Sequence, residues 1–351
     1  MLIFIIAMMS FVIVYTSTPI AIFLAKKFKL VTDGSSHSHP AHTHKGVIPR
    51  AGGVPIYLAI LVCSLIFLPI NKIIVGILIA NGLLVIIGLL DDKYDLSPYI
   101  RFVMNIIIAT LVVLFGLGIP FVSNPFGGVI PLDTITFSLN IFGIRNILIV
   151  ADIISIIWLA WMMNMVNWSK GVDGQLPGFV AIAAFFLAIL ATRFTAHDID
   201  ATTVMYLSVI IGAAYLGFLP YNFYPQKIMP GYGGGAMAGF LLGILSILSF
   251  GKFGTAVLVL AIPTMDAVYT IIRRIHQKKS PFRADWGHFH HRLIDIGWGR
   301  RRIAVFYWLV SLILGGATMM LAGQEKLVAF LMVGLALILF IVIINKIKVL
   351  T

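Results

Sequence analysis

The fold is decided by the stretch Ile73-Ile-Val-Gly-Ile-Leu-Ile-Ala-Asn-Gly-Leu-Leu-Val-Ile-Ile-Gly-Leu-Leu90, which runs directly into Asp91-Asp92-Lys-Tyr-Asp95. The apolar part holds no charged residue. As a helix rising about 1.5 Å per residue, it is long enough to cross most of the hydrocarbon core of a bilayer. A helix is expected because a segment in lipid has to hydrogen-bond its own backbone. The stretch therefore predicts a membrane-spanning helix whose end carries carboxylates at the membrane surface.

The whole chain has the composition of a membrane protein. Hydrophobic residues make up 60% of the 351 residues and charged residues 11%, and the mean hydropathy is +1.04. These values exclude a water-soluble globular protein. We predict an all-α fold: a polytopic helical membrane protein, with residues 1–351 forming a single transmembrane domain of about eleven transmembrane helices. The predicted spans are Met1–Leu24, Ala51–Leu68, Ile73–Leu90, Phe102–Ile119, Leu148–Trp168, Gly178–Phe194, Thr203–Leu219, Ala236–Phe250, Gly254–Ile272, Ile303–Leu321 and Leu327–Ile344.

Positive charge divides the loops between these spans into two sets. Loops after odd-numbered spans hold 20 of the 25 Lys and Arg residues, and the other loops hold 5. The positive-inside rule then predicts a multi-pass protein of the cytoplasmic (inner) membrane, with the charged loops and an active site facing the cytoplasm. The net charge of +12 suits anionic lipid headgroups and anionic substrates. Nucleic acid is not an expected partner, because no soluble basic domain carries this charge.

Four polar clusters lie in the predicted cytoplasmic loops. The first is the acidic group at 91–95, where three carboxylates within five residues favour a bound cation such as Mg²⁺ or a raised pKa. A solvated helix end is the alternative. The second cluster places two amides on one helix face, where they can hydrogen-bond a sugar or a base. A helix cap followed by a glycine turn is the alternative. Its sequence is Asn164-Met-Val-Asn167-Trp-Ser-Lys170-Gly171-Val-Asp173-Gly174.

The third and fourth clusters offer contacts to phosphate. The third reads Pro225-Gln-Lys227-Ile-Met-Pro-Gly231-Tyr232-Gly-Gly-Gly235. Glycine-rich backbone ahead of a helix can present N–H groups to phosphate, and a flexible turn is the alternative. The fourth reads Ser280-Pro-Phe-Arg283-Ala-Asp285-Trp-Gly-His288-Phe-His290-His291-Arg292. Its histidines and arginines can bind phosphate, position a metal or move protons, and a solvated loop is the alternative.

In order and spacing, the four clusters resemble the pattern of the polyprenyl-phosphate N-acetylhexosamine-1-phosphate transferases of glycosyltransferase family 4. The resemblance covers nearly the whole chain, from His44-Lys45-Gly-Val-Ile-Pro-Arg50-Ala-Gly-Gly53 to the loop at 288–292, and includes Asp266 in a Pro-x-x-Asp pattern. It implies an enzyme that moves a sugar-1-phosphate from a UDP-sugar to a polyprenyl phosphate, releases UMP and begins cell-envelope glycan synthesis. It also implies Mg²⁺ as cofactor.

Within the family, His288-Phe-His290-His291-Arg292 resembles the branch that uses UDP-N-acetylglucosamine or a related donor. We therefore expect UDP-N-acetylglucosamine as donor and undecaprenyl phosphate as acceptor. The muramoyl-pentapeptide transferase of peptidoglycan synthesis, which usually has three consecutive histidines, is the alternative within the family. A lipid-phosphate transporter and a non-catalytic polyprenyl-phosphate-binding protein are the alternatives from other classes, although most ionisable groups lie at span ends and not at mid-membrane. Membrane lipids are further partners, and a homodimer is left open.

The resemblance also assigns site residues. It implies that one carboxylate of the pair Asp91 and Asp92 acts on the lipid phosphate as a base or orienter. The expected catalytic residues are Asp91, Asp92, Lys170 and Asp173, and the expected Mg²⁺ ligands are Asp91, Asp92 and Asp173. The expected substrate-binding residues are His44, Lys45, Asp95, Asn164, Asn167, Lys227, Tyr232, Asp285, His288, His290, His291 and Arg292.

Two positions depart from the family pattern. Lys170 stands where an Asp is usual, and Tyr232 stands where the glycine-rich loop usually has an Asp that binds Mg²⁺. Relative to the usual site, the charge rises by three units, two for Asp to Lys and one for Asp to Tyr. The site is then inactive, or binds Mg²⁺ through the remaining carboxylates alone, or uses Lys170 to supply part of the charge of the metal. We favour retained activity and the third explanation.

Overall fold

The structure, a computed structural model, describes residues 1–33, 46–124, 126–140, 144–192, 201–249, 253–281 and 285–350. Two predicted substrate-binding residues, His44 and Lys45, lie outside these ranges. The described residues form thirteen α-helices and six short β-strands. The strands pair only as two-stranded antiparallel hairpins, so the all-α class predicted from the sequence is confirmed.

The elements follow one another along the chain as alternating helices and short connections. The helices are α1 (Leu2–Lys27), α2 (Gly53–Phe67), α3 (Lys72–Tyr94), α4 (Pro98–Leu114), α5 (Ile149–Trp168), α6 (Gln175–Ala191), α7 (Ala201–Asn222), α8 (Gly231–Leu248), α9 (Phe253–Val259), α10 (Ala261–His276), α11 (Phe289–Asp295), α12 (Arg300–Thr318) and α13 (Gly323–Leu350). The strands are β1 (Val31–Asp33), β2 (Val47–Pro49), β3 (Phe121–Ser123), β4 (Val129–Pro131), β5 (Thr136–Asn140) and β6 (Ile144–Leu148), paired β1 with β2, β3 with β4 and β5 with β6.

Local signals in the sequence explain where two of these helices begin. Asn71 precedes α3, and its side-chain oxygen accepts the backbone N–H of Ile74 at 2.9 Å. Ser97 precedes α4 in the same way, and Pro98 occupies the first turn, where its missing N–H leaves no hydrogen bond unmade. The cap at Ser97 fixes the start of α4 directly after the last turn of α3, which holds Asp91 and Asp92.

The helices are those of a multi-pass membrane protein. In the described part of the chain, seven helices are long and apolar enough to cross a membrane: α1, α3, α5, α7, α8, α12 and α13. The bent pair α9 and α10 adds an eighth span if it counts as one, and α2, α4 and α6 are shorter apolar helices. Every predicted span falls on one of these helices. The number of eleven crossings stays a prediction, because it depends on the short helices.

The predicted ninth span, Gly254–Ile272, is not one continuous helix. The helix axis turns by 86° between α9, which ends at Val259, and α10, which begins at Ala261. Pro263 explains the break, because in a continuous helix its ring would clash with the carbonyl of Val259, and it has no N–H to bond that carbonyl. In the first turn of a new helix the same proline is tolerated. Because of the bend, α10 runs in a different direction from α9. Its residue Asp266 contacts His288.

Helix α8 forms the centre of the bundle, and all of its residues are buried. It packs against α2, α3, α5, α6, α7 and α9. Glycines permit these contacts, because a Cβ on Gly53 of α2 would lie 2.8 Å from the backbone nitrogen of Gly234, and a Cβ on Gly88 of α3 would overlap the backbone of Gly233. Small residues are the usual means by which membrane helices approach so closely.

The glycine-rich third cluster therefore differs from its prediction. The sequence leaves a phosphate-binding backbone and a flexible turn open for the residues up to Gly235, and it predicts a span that begins at Ala236. In the structure α8 begins five residues earlier, at Gly231, and the three glycines that follow Tyr232 lie within the helix. Their place is explained by packing against neighbouring backbone. Among the glycines of this cluster, only Gly231 has a left-handed backbone, with φ of +70°, which favours glycine.

Candidate functional site

Backbone hydrogen bonds join the start of α2 to the start of α8. The backbone N–H of Met229 donates to Pro49 O at 2.8 Å, and that of Gly52 donates to Met229 O at 3.0 Å. Arg50 lies between these two bonds and is thereby held beside Gly231. Because Gly88 contacts Gly233, the last turn of α3 lies at the same end of α8. Segments far apart in the sequence thus meet at one end of the bundle.

Two arginines hold the acidic pair at this end. Asp91 is fully buried, and both of its oxygens accept from Nη1 of Arg101, at 3.1 and 3.3 Å. Asp92 Oδ1 lies 3.0 Å from Nε of Arg50 and accepts the backbone N–H of Tyr232 at 3.3 Å. Adjacent buried carboxylates repel each other, and the guanidinium groups offset this repulsion. Neither Arg50 nor Arg101 is among the predicted site residues.

Lys170 adds a third cation to the same place. Its Nζ donates to the carbonyl of Gly231 at 2.8 Å. Burial, and then the positive charge of Arg50, lower the pKa of Lys170 to about 7, although Asp92 and Asp91 act to raise it. An anion that arrived here would favour the charged lysine. We call Arg50, Asp91, Asp92, Arg101 and Lys170 the charge cluster. It holds three basic and two acidic side chains.

Tyr232 supports one of these arginines. Its hydroxyl donates to Asn105 Oδ1 at 2.8 Å and contacts the carbonyl oxygen of Arg101 at 3.3 Å. The guanidinium carbon of Arg101 lies 5.6 Å from the centre of the tyrosine ring, within range of a cation–π interaction. The tyrosine therefore holds α4 and its arginine against the acidic pair. Asn105 is a site residue that the sequence does not indicate.

The oxygens of the charge cluster do not fit a Mg²⁺ ion. Mg²⁺ takes about six oxygen ligands in near-octahedral geometry, whereas both oxygens of Asp91 and one of Asp92 already accept hydrogen bonds from protein donors. Among the described residues, no group of three or more His, Cys, Asp or Glu is arranged to hold a metal. The expected third ligand, Asp173, contacts Gln226 and Arg300 through Oδ2, while its Oδ1 has no hydrogen-bond partner among the described residues. These contacts give no support to the expected Mg²⁺ set of Asp91, Asp92 and Asp173.

The second cluster connects the charge cluster to the histidines. Lys170 reaches Gly231, the ring of Trp168 lies 6.3 Å from that of His288, and a Cβ on Gly171 would overlap the ring of His290. The predicted amides behave differently from each other. Asn164 donates to Ala160 O of its own helix at 2.7 Å.

The other predicted amide, Asn167, is oriented towards α8. Its Oδ1 is buried beside Gly235 and has no hydrogen-bond partner among the described residues. Substrate contacts by Asn164 and Asn167 stay a prediction. A buried acceptor without a partner is rare in proteins and marks the place where a donor group is missing.

An aspartate on α10 orients the first histidine. Asp266 Oδ2 lies 2.9 Å from Nδ1 of His288, and Asp266 Oδ1 accepts the backbone N–H of Phe289 at 2.7 Å. Thr270 contacts the same imidazole nitrogen at the longer distance of 3.5 Å. All three side chains are buried. A carboxylate bonded to one imidazole nitrogen fixes the ring and its tautomer. Asp266 is thus a positioning residue, which the sequence indicates only through the Pro-x-x-Asp pattern.

The other residues of the fourth cluster order the loop. Asp285 accepts from Arg273 at 2.7 Å and from Arg274 at 3.2 Å. Burial alone would raise the pKa of Asp285, but the hydrogen bonds and charges of these arginines lower the pKa to about 2. The guanidinium carbon of Arg292 lies 5.5 Å from the ring centre of Tyr269.

His290 and His291 are buried and close to each other, with ring centres 4.2 Å apart. Burial and the neighbouring imidazoles lower the pKa of His290 well below its usual value. Burial, followed by the charge of His288, lowers the pKa of His291 to about 4. Both are therefore neutral at pH 7, so they can offer hydrogen bonds but not positive charge. That they contact phosphate stays a prediction.

An open cavity of about 770 Å³ has Ile48 and Asp173 in its lining, two residues before Arg50 and three residues after Lys170 in the sequence. Asp173 Oδ2 accepts the backbone N–H of Gln226 at 3.3 Å and lies 3.8 Å from Nη1 of Arg300. Burial raises the pKa of this carboxyl, although Arg300 acts to lower it. We call this space the arginine-lined cavity. Its lining residues are Ile48, Asp173, Tyr224, Pro225, Gln226, Ile294, Trp298, Gly299, Arg300 and Arg301.

Two predicted substrate-binding residues lie on the surface away from these contacts. Asp95 is exposed and ends α3 with a left-handed backbone, φ 49°. Lys227 is exposed as well, and its Nζ lies 6.0 Å from the ring centre of Tyr221. The backbone N–H of Asp95 donates to Asp91 O at 2.8 Å. In the described part of the chain neither side chain contacts the charge cluster, so any role in binding stays a prediction.

We expect Asp266→Asn to lower the rate of UMP formation from UDP-N-acetylglucosamine by about 10- to 100-fold, as is common when the group orienting a functional histidine is lost. Steady-state kinetics in detergent measure this effect. Thr270→Val is the matched control, because it removes only the 3.5 Å contact to the same nitrogen, and it should stay within about threefold of the wild type. Equal losses in both variants would contradict the special role of Asp266.

Comparisons with known proteins agree with this geometry. The chain matches the family model described as Glycosyl transferase family 4 over residues 74–250. A Bacillus subtilis protein, named probable undecaprenyl-phosphate N-acetylglucosaminyl 1-phosphate transferase, is 28% identical over 88% of this chain and 81% of its own length. A decaprenyl-phosphate N-acetylglucosaminephosphotransferase of Mycolicibacterium smegmatis is 27% identical over 95% and 85%. An undecaprenyl-phosphate alpha-N-acetylglucosaminyl 1-phosphate transferase of Salmonella typhi is 28% identical over 88% and 82%.

Proposed function

Because this chain belongs to glycosyl transferase family 4, we propose that it transfers N-acetylglucosamine-1-phosphate from UDP-N-acetylglucosamine to undecaprenyl phosphate and releases UMP. The names of its relatives support the sugar and the class of acceptor, since each names a polyprenyl phosphate and N-acetylglucosamine. The chain spans most of the length of these relatives. The proposed enzyme is a phosphoglycosyl transferase.

One observation carries the proposal: basic side chains from three separate segments meet at a buried acidic pair. In the reaction, an oxygen of the lipid phosphate attacks the β-phosphorus of the UDP-sugar. A new P–O bond forms, the bond from the β-phosphorus to the bridging oxygen breaks, and that oxygen leaves with UMP. Two anions have to meet, so the site has to neutralise negative charge.

The arginine-lined cavity suits the nucleotide part of the donor. It combines aromatic surface from Tyr224 and Trp298 with the guanidinium groups of Arg300 and Arg301. Aromatic rings stack on bases, and guanidinium groups pair with phosphate oxygens. Asp173 is the carboxyl group in this lining.

The lipid phosphate needs little activation by a base. A phosphate monoester has its second pKa near 6 and is largely doubly ionised at pH 7. Asp91 and Asp92 are engaged by arginines, so their main effect on the reaction is to hold these cations in place. We propose that the cations receive the phosphates and that the carboxylates orient the cations.

We also propose that this end of the bundle faces the cytoplasm, in the cytoplasmic membrane. The positive-inside rule supports this orientation, because the loops at this end carry most of the Lys and Arg residues. UDP-sugars reach the enzyme from that side. A homodimer, which the sequence leaves open, stays a prediction.

The test is a donor panel. Purified protein is incubated with undecaprenyl phosphate and, separately, UDP-N-acetylglucosamine, other UDP-sugars and UDP-N-acetylmuramoyl-pentapeptide, and UMP is measured. We expect UMP with UDP-N-acetylglucosamine and far less with the pentapeptide donor. UMP from the pentapeptide donor alone would favour the muramoyl-pentapeptide transferase. Movement of lipid phosphate across vesicles without any UMP would favour a transporter.

A further inference from the structure

We propose that the protein binds its diphosphate substrate, and transfers the sugar-1-phosphate from it, without a divalent cation. The phosphates are bound by a site formed by Arg50, Arg101 and Lys170. The inference rests on the proposed function and specifies how the site handles charge. A Mg²⁺ ion is expected by resemblance, whereas the side chains of the charge cluster do not fit one.

The exposed side of the charge cluster is basic. The side chains of Arg50 and Arg101 are 23% and 25% exposed, whereas those of Asp91 and Asp92 are 0% and 3% exposed. A group arriving from solvent therefore meets guanidinium groups first and the carboxylates only behind them. A divalent cation is repelled by this arrangement, and a phosphate is attracted to it.

The recorded contacts leave donors for phosphate oxygens. An ammonium group has three N–H donors, and Lys170 uses one on the carbonyl of Gly231. Arg101 holds Asp91 through Nη1, and a guanidinium has five N–H donors in total. The three basic side chains can thus contact a phosphate while they hold the acidic pair. Guanidinium groups are well suited to this, because they bind phosphate in bidentate geometry.

The two positions that depart from the family pattern act together in this site. Lys170 contributes charge directly, while Tyr232 contributes through Arg101, whose guanidinium lies over its ring and whose carbonyl contacts its hydroxyl. Asn105 holds the same hydroxyl at 2.8 Å. The tyrosine therefore has a role of its own in the site, which is to hold Arg101 in position. Both changes favour a basic phosphate site.

The experiment measures binding and turnover separately, with the full chain in detergent. Calorimetry with UDP as probe, and UMP release from UDP-N-acetylglucosamine with undecaprenyl phosphate, are each recorded in excess EDTA and in Mg²⁺. We expect UDP affinity and the rate of UMP release to agree within about threefold between the two conditions. We expect Lys170→Met to weaken UDP binding about tenfold or more, as for a lost charged hydrogen bond.

Matched variants separate charge from structure. Lys170→Arg keeps the charge and should retain most of the binding, while Lys279→Met, which removes an exposed lysine, should not change it. The double variant Lys170→Asp/Tyr232→Asp should lose UDP binding in EDTA and recover it in Mg²⁺, because it replaces the cation with two carboxylates. Thermal unfolding checks that each variant is folded.

The outcomes are distinct. UDP binding or UMP release that occurs only with Mg²⁺ would overturn the metal-free site and leave the proposed function intact. Absence of both UDP binding and UMP release in either condition would overturn the proposed function as well. Equal UDP binding by the wild type and Lys170→Met would remove Lys170 from the site.

Discussion

Asp91→Asn is expected to lower the rate of UMP formation about 10- to 100-fold, because the amide keeps one acceptor oxygen but loses the negative charge that pairs with Arg101, and a hydrogen bond to a charged group is worth about 1.5–3 kcal/mol. The carboxyl is fully buried, so water cannot replace it as a partner of the guanidinium. The rate is measured with UDP-N-acetylglucosamine and undecaprenyl phosphate. Asp133→Asn is the matched control, since that carboxyl is exposed in the connection between α4 and α5.

A double-mutant cycle shows whether Asp91 acts through Arg101. Arg101→Gln should slow the reaction at least as much as Asp91→Asn, because it also removes a contact to phosphate. The double variant should be no slower than Arg101→Gln alone, because Asp91 acts through that arginine. Thermal unfolding in detergent establishes that the variants are folded. If the changes in activation free energy of the two single variants add in the double variant, the two residues act independently. A fully active Asp91→Asn protein would contradict the role assigned to Asp91.

The second large effect is expected on folding. Gly88→Val should destabilise the protein by about 3 kcal/mol or more, because its Cβ would overlap the backbone of Gly233 and force α3 away from α8. Activity should fall with it, since Asp91 and Asp92 follow Gly88 by less than one and a half turns of α3. The measurement is the midpoint of thermal unfolding in detergent, with UMP formation in parallel.

Gly316→Val is the control for this prediction. Gly316 also lies inside a membrane-spanning helix, α12, but a Cβ there would meet nothing within 4 Å among the described residues. Its midpoint should stay close to that of the wild type. Equal midpoints for Gly88→Val and Gly316→Val would show that the contact between α3 and α8 is not tight.

The helices could be predicted well because apolar composition is a local property of the sequence. Each predicted span falls on a helix, and the multi-pass all-α class is confirmed. The break at Leu260 was not predicted, because residues on both sides of it are apolar and hydropathy does not detect a change of direction. The hairpins between α4 and α5 were not predicted either, since strands this short depend on their surroundings.

The candidate site could be predicted only in part. Resemblance indicated Asp91, Asp92, Lys170 and Tyr232, and the structure brings them together. It gave no role to Arg101, which reads in the sequence as an ordinary loop cation. That role appears only when α4 packs against α3 and the guanidinium reaches the acidic pair. For the glycines after Tyr232 the sequence left a phosphate-binding backbone and a flexible turn open, because glycine composition alone does not reveal a tightly packed helix.

The complete burial of α8 places a condition on how the chain assembles. Of the helices that pack against it, α2, α3, α5, α6 and α7 are made before it during synthesis and α9 is made after it. Until α8 inserts, the space that it later occupies among the five earlier helices therefore has to stay empty or be filled by lipid. Only then can the acidic turn after α3 meet the carbonyl and amide groups at the head of α8. A ribosome-bound chain truncated before residue 231 would thus carry most of the helices and still lack a formed active centre.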